Sequence, residues 1–128
     1  MPAFYAGLGC RRGCPVTTLA TLLCQALSHQ GLALADLHGI ASISLKADEP
    51  ALQQLAERLG VPLVLYDIAV LQPYEPQLSH RSAAAHAHTG CWGVAESAAL
   101  ALASQRLGRA RLLLTRQVLG PATLALAY

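Results

Sequence analysis

The stretch Gly7-Leu-Gly-Cys-Arg-Arg-Gly-Cys-Pro15 does most to set what this chain can fold into. An apolar run, Ala3 to Leu8, enters it, and residues at helical spacing leave it from about Pro15 to Leu27. A strand, a glycine-rich turn and a helix form the corner from which α/β sheets are built. Such a corner turns backbone N–H groups outward, where a ligand can meet them. Arg11 and Arg12 add two permanent positive charges whose forked donors match a carboxylate or phosphate. The corner reads as an anion site made by Gly9, Cys10, Arg11, Arg12 and Gly13.

The rest of the chain repeats the alternation. Leu19, Leu22, Leu23, Ala26 and Leu27 share one helical face, and Gly31 stops that helix. Leu34 to Leu37 is a short connector, and Ile40 to Leu45 reads as a second strand. Lys46-Ala-Asp-Glu-Pro50 then leads into a helix lined by Leu52, Leu55, Ala56 and Leu59 and closed by Gly60, with Asp48 as its expected N-cap. Leu63 to Tyr66 is a third strand. Gln72 to Trp92, with Pro73, Pro76, Gly90 and three histidines, predicts a mobile loop or weak helix. Val94 to Leu107 is an Ala-rich helix with Glu96 in its first turn. Arg111 to Leu114 and Thr123 to Ala127 are two late strands joined at Gly120-Pro121. No repeat or linker divides residues 1–128. The expected fold is a single three-layer α/β domain with a mixed, mainly parallel sheet and helices on both faces. Loops after parallel strands gather on one sheet edge, so Arg11 and Lys46 should share that edge.

Composition narrows the function. Hydrophobic residues make up 54% of the chain, largely Ala and Leu, with one Phe and one Trp, which favours close helix–sheet contact over aromatic anchors. A net charge of +2 with no basic stripe argues against nucleic acid. No segment reaches the roughly 18 consecutive apolar residues of a membrane span. The Met1-Pro2 start carries no basic region followed by an apolar stretch. Four irregularly spaced cysteines do not make a secreted disulfide framework, so a reducing, cytoplasmic setting is expected.

Several constellations carry chemistry. Lys46 can hold a carboxylate, with Ala47 beside it, while Asp48 and Glu49 can move a proton or simply open a helix. Glu96 has the same two readings. Gly7-x-Gly9-x-x-x-Gly13 is not a dinucleotide fingerprint, which would need glycine in place of Arg12. Cys10, Cys14, His86, His88 and Cys91 have the ligand types for a soft metal, but Cys-x-x-x-Cys is not a tight knuckle, and no metal or cofactor is assigned. Cys24 reads as core and the other cysteines as small turn residues. Cys10 is a conceivable nucleophile if Arg11, Arg12 and a helix N-terminus lower its pKa. His86 and His88 read as loop donors to a ligand, and His29, His38 and His80 as surface residues.

Three motifs in order, Gly7-Leu-Gly-Cys-Arg-Arg-Gly13, Leu45-Lys-Ala-Asp-Glu-Pro50 and Gly93-Val-Ala-Glu-Ser-Ala-Ala-Leu100, resemble the cobalamin-biosynthesis family of CobE and the C-terminal domain of CbiG. The resemblance runs from Tyr5 to Ala127. Where that family carries a Pro-Lys-x-Lys-like sequence, Leu112-Leu-Leu-Thr-Arg-Gln117 offers one cation, Arg116. The resemblance implies work on the corrin ring. CbiG-type proteins open a lactone on a cobalt-bound intermediate of the anaerobic route, in a longer chain, and CobE belongs to the aerobic route. The ligand implied is a precorrin or corrinoid, an apolar macrocycle fringed with carboxylates. Arg11, Arg12, Lys46, Arg116, His86 and His88 are expected to meet it, with other pathway enzymes as further partners. Carrier or accessory protein is the expected role; the alternative is a hydrolase or isomerase using Asp48, Glu49 or Glu96.

Overall fold

A computed structural model describes residues 3–128; the reading of the Met1-Pro2 start falls outside the described residues. The strands are β1 (Phe4–Cys10), β2 (Leu37–Ile43), β3 (Leu63–Tyr66), β4 (Leu112–Leu119) and β5 (Ala122–Ala127). The helices are α1 (Val16–Gln30), α2 (Pro50–Leu59), α3 (Ile68–Leu71), α4 (Ala83–Thr89) and α5 (Val94–Leu107). The sheet order is β3-β2-β1-β5-β4. β1 pairs parallel with β2, and β2 with β3, whereas β5 runs antiparallel to both β1 and β4. Two reversals return β4 to the direction of β1, so four of the five strands point one way. The expected α/β fold with a mixed sheet is the fold observed.

β1 is the central strand and every residue in it is buried. Its alternate side chains serve two cores, as a strand's period of two requires. Phe4, Ala6, Leu8 and Cys10 face α1 and α2, meeting Leu19, Leu23, Leu52 and Leu55. Tyr5 faces the other side, where α5 lies with Ala95, Ala98, Ala99 and Leu102. α5 is buried continuously from Val94 to Ala103. One side of it packs on the sheet, and the other lies beneath α3 and a 3-10 turn over Gln72–Gln77. A helix covered on both sides needs apolar residues all round, which explains its run of Ala and Leu.

Gly7 makes this packing possible. A methyl group on Gly7 would stand 1.8 Å from the Ala95 carbonyl oxygen and 2.5 Å from the Ala99 nitrogen. The α5 backbone therefore rests directly on β1. Gly7 and Gly9 belong to the strand, so the turn itself is only the segment from Arg11 to Pro15.

Other boundaries moved for physical reasons. β2 begins at Leu37 because it pairs with Phe4 of β1, and it ends at Ile43, where Ser44–Lys46 winds into a 3-10 turn. Pro50 occupies the first turn of α2, which makes Glu49 the N-cap; Asp48 is exposed and is not the cap. β4 continues through Thr115, Arg116 and Gln117, polar residues that an edge strand tolerates. Gln72 to Trp92 forms the 3-10 turn and α4. On α1, Leu19, Leu22, Leu23, Ala26 and Leu27 take the buried face, so Cys24 points to solvent while Cys10, Cys14 and Cys91 are buried. That reverses the expected assignment of the cysteines.

Candidate functional site

The loops that follow β1, β2 and β3 meet at the carboxyl edge of the sheet. Gly13 takes a left-handed conformation, φ +77°, which frees its N–H to donate to Glu49 Oε2 at 3.1 Å. This bond ties the arginine turn to the Lys46–Glu49 corner, as expected from the strand directions. The Ser44 hydroxyl donates to Asp67 Oδ1 at 2.8 Å, which fastens the end of β2 to the end of β3. The Arg11 N–H donates to the Pro121 carbonyl at 2.9 Å and so anchors the turn to the β4–β5 connection.

Arg11 and Arg12 are exposed, and Lys46 is half-buried. Among the described residues the one ion pair is Arg81–Glu75 at 3.0 Å, so none of these three cations is neutralised. Of the carboxylates on this edge, Glu49 is occupied by Gly13, Asp67 by Ser44, and Asp48 is exposed. Ala47 is also exposed. Two apolar side chains are exposed in segments that follow these strands: Leu45, next to Lys46 in the chain, with 64% exposure, and Val70, in α3 just after β3, with 40%. The edge thus offers both free cations and exposed apolar surface.

Gly9 and Cys10 are buried in β1 and do not line the turn. Burial first, then the neighbouring Cys14 and Glu49, push the Cys10 thiol up from 9.0 to about 11, with Lys46 pulling the other way. Cys14 is also raised, mainly by burial. This is opposite to the lowering expected from the arginines and corrects the reading of Cys10 as a nucleophile. At pH 8 only about one Cys10 in a thousand would be thiolate. Brief iodoacetamide treatment at that pH is expected to alkylate Cys24 and spare Cys10; equal labelling in the folded protein would contradict the assigned environment. Between about pH 9 and 11 the folded chain keeps a Cys10 proton that the unfolded chain releases. Stability is therefore lost as pH rises through that window.

The histidines do not act as a pair. His86 stacks on Trp92, ring centroids 4.1 Å apart at 20°. His88 is two residues further along α4, rotated by roughly 200° about a helix of 3.6 residues per turn. Both are exposed, on different sides of α4. Among the described residues no three His, Cys, Asp or Glu side chains come together as a metal site, and no helix is long and apolar enough to cross a membrane.

Glu96 is the unexpected centre. It is 1% exposed, and the donors to its oxygens all come from outside α5. Oε1 accepts the Ser79 N–H at 2.9 Å and the His80 N–H at 3.4 Å. Oε2 accepts the Arg116 N–H at 3.0 Å and the Ser79 hydroxyl. The Arg116 donor is free because β4 bulges there. Leu114 pairs with Leu126 and Gln117 with Leu124, which leaves Thr115 and Arg116 together opposite Ala125. The Nε of Arg116 is buried without a partner. Ser79 and His80 escaped the sequence reading because 17 and 16 residues separate them from Glu96, with no motif to join them.

A three-layer α/β domain with an open, mixed five-stranded sheet and cationic loops at its carboxyl edge defines the class of protein. Residues 4–127 match the family described as Cobalamin synthesis G C-terminus, and the chain belongs to that family. Protein CobE of Sinorhizobium sp is 39% identical over 122 residues, which cover 94% of this chain and 77% of that protein. The crystal structure of a CobE from the cobalamin biosynthetic pathway superposes with a TM-score of 0.93 at 47% identity, covering 98% of this chain and 92% of that one. The cobalt-precorrin-5A hydrolase of Salmonella typhimurium is 43% identical over 70 residues, 55% of this chain but only 20% of the enzyme. These relationships tie the chain to cobalamin biosynthesis.

Proposed function

We propose that this domain binds a carboxylate-rich precorrin or corrinoid intermediate at the carboxyl edge of its sheet and serves as a carrier or accessory protein. The observation that carries this reading is the un-neutralised trio Arg11, Arg12 and Lys46 on an edge that also exposes Leu45 and, after β3, Val70. Carboxylates at the ring's fringe would meet the cations, and the apolar ring would cover the leucine and valine. His86, on its Trp92 platform, offers a further flat surface, and other pathway enzymes would deliver or receive the ligand. The test is titration with hydrogenobyrinic acid, with NAD and ATP as competitors. Two exposed charge contacts at about 1 kcal/mol each amount to roughly a thirtyfold loss for the Arg11→Ala, Arg12→Ala double variant. Unchanged affinity removes this edge as the site, and tighter binding of ATP or NAD favours a nucleotide module.

The identity with cobalt-precorrin-5A hydrolase supports a second reading, a hydrolase or isomerase acting on the same ligand class. Asp48 and Glu49 lie on the right edge for proton transfer, although Glu49 is engaged with Gly13. Glu96, buried and saturated with donors, serves to hold other groups in place.

A further inference from the structure

The contacts around Glu96 determine how the protons on Ser79 and His80 are arranged. Each Glu96 oxygen takes backbone N–H donors, Oε1 from Ser79 and His80 and Oε2 from Arg116, so the carboxylate acts as an acceptor only. The Ser79 hydroxyl has one hydrogen, and it goes to Glu96 Oε2. Ser79 Oγ also lies 2.6 Å from His80 Nδ1. With its own hydrogen spent, Oγ must accept at this contact, and Nδ1 must carry the proton. That leaves the Nε2 lone pair of His80 free, on an exposed ring. A carboxylate that orients an imidazole and fixes its tautomer is the arrangement that prepares a general base. Here a hydroxyl stands between the two.

We propose that His80 is the proton-accepting group of this domain, with Ser79 and Glu96 as its positioning residues; the proposal rests on the hydrolase reading. Nε2 takes the proton of a water or substrate hydroxyl, and the donor oxygen keeps the bonding pair and becomes the nucleophile. The imidazolium that forms keeps its Nδ1–H bond to Ser79 Oγ, one hydroxyl away from the Glu96 charge. No proton leaves Ser79 and no further reactant is required.

The test begins on the full chain without ligand. Long-range 1H–15N NMR is expected to show His80 protonated at Nδ1, and Ser79→Ala to move it toward the Nε2-protonated form that free imidazole favours. Ser79 is exposed, so this variant keeps the fold even if Glu96→Gln does not. Diethyl pyrocarbonate acylates the ring nitrogen that carries the lone pair, so its rate of modification at His80 Nε2 should fall several-fold in Ser79→Ala. His86 and His88 should react as before. An Nε2-protonated His80 in the parent protein, or an unchanged rate in the variant, overturns the proposal. Hydrogenobyrinic acid at saturation should protect His80 from the reagent; bound acid that leaves His80 fully reactive also overturns it. If the acid does not bind at all, the ligand reading fails by itself, and the tautomer and rate decide for His80.

Discussion

Gly7→Ala is expected to cost about 3 kcal/mol or more and to lower the melting temperature by roughly 10 °C in a domain of this size. The added methyl would meet the carbonyl of Ala95 and the amide nitrogen of Ala99, which are helix backbone and cannot rotate aside. α5 would have to lift from β1. Because α5 is buried along ten successive residues, lifting it would open gaps against β2 and β5 as well. Gly9→Ala is the informative contrast. Its methyl would come within 2.5 Å of Thr123 Oγ1, a side-chain atom that can turn away, so a loss nearer 1 kcal/mol is expected. Urea denaturation of both variants is the measurement. A Gly7→Ala midpoint equal to that of the parent would mean that α5 does not rest on the strand as described.

Glu96→Ala should be nearly as damaging, about 3 kcal/mol, for a different reason. Removing the carboxylate breaks its part-buried bonds from the Ser79 and Arg116 N–H groups, and a hydrogen bond to a charged group contributes roughly 1.5–3 kcal/mol. The damage should be directional. Hydrogen exchange is expected to accelerate first at the Arg116 and Ser79 amides, because the β4 bulge and the segment before α4 lose the group that joins them. Glu96→Gln keeps one acceptor oxygen but turns an amide donor toward other donors, so it should fall between Glu96→Ala and the parent. Uniform exchange in Glu96→Ala, with no preference for those two amides, would argue that the carboxylate is not their anchor.

Much of the fold was legible because its causes are local. Leu63–Tyr66 and Val94–Leu107 were placed at their observed ends, and Gly31, Gly60 and Gly108 stop their helices in the left-handed conformation. Apolar spacing and the steric freedom of glycine act over a few residues, so a linear reading captures them. The meeting of Arg11 with the Lys46 corner was also readable, since it needs only two parallel strands with loops at the same end.

What a linear reading missed depends on register and on neighbours distant in the chain. Gly7 looks like a turn glycine until α5 is laid on the strand. Cys10 looks activated by two arginines until its burial is known, and Cys24 looks buried until the face of α1 is fixed by its leucines. His86 and His88 look like loop donors to a ligand until α4 turns them to different sides. Above all, Glu96 looks like an ordinary acid in a first turn. Only the bulge that frees the Arg116 N–H, and the path that returns Ser79 and His80 to the start of α5, make it a buried hub. The sequence by itself determined the five strands, the three long helices, their order and the cationic corner, because backbone sterics and apolar periodicity are short-range. The tertiary structure alone decided which polar groups share protons, because a hydrogen bond requires atoms about 3 Å apart whatever their separation along the chain.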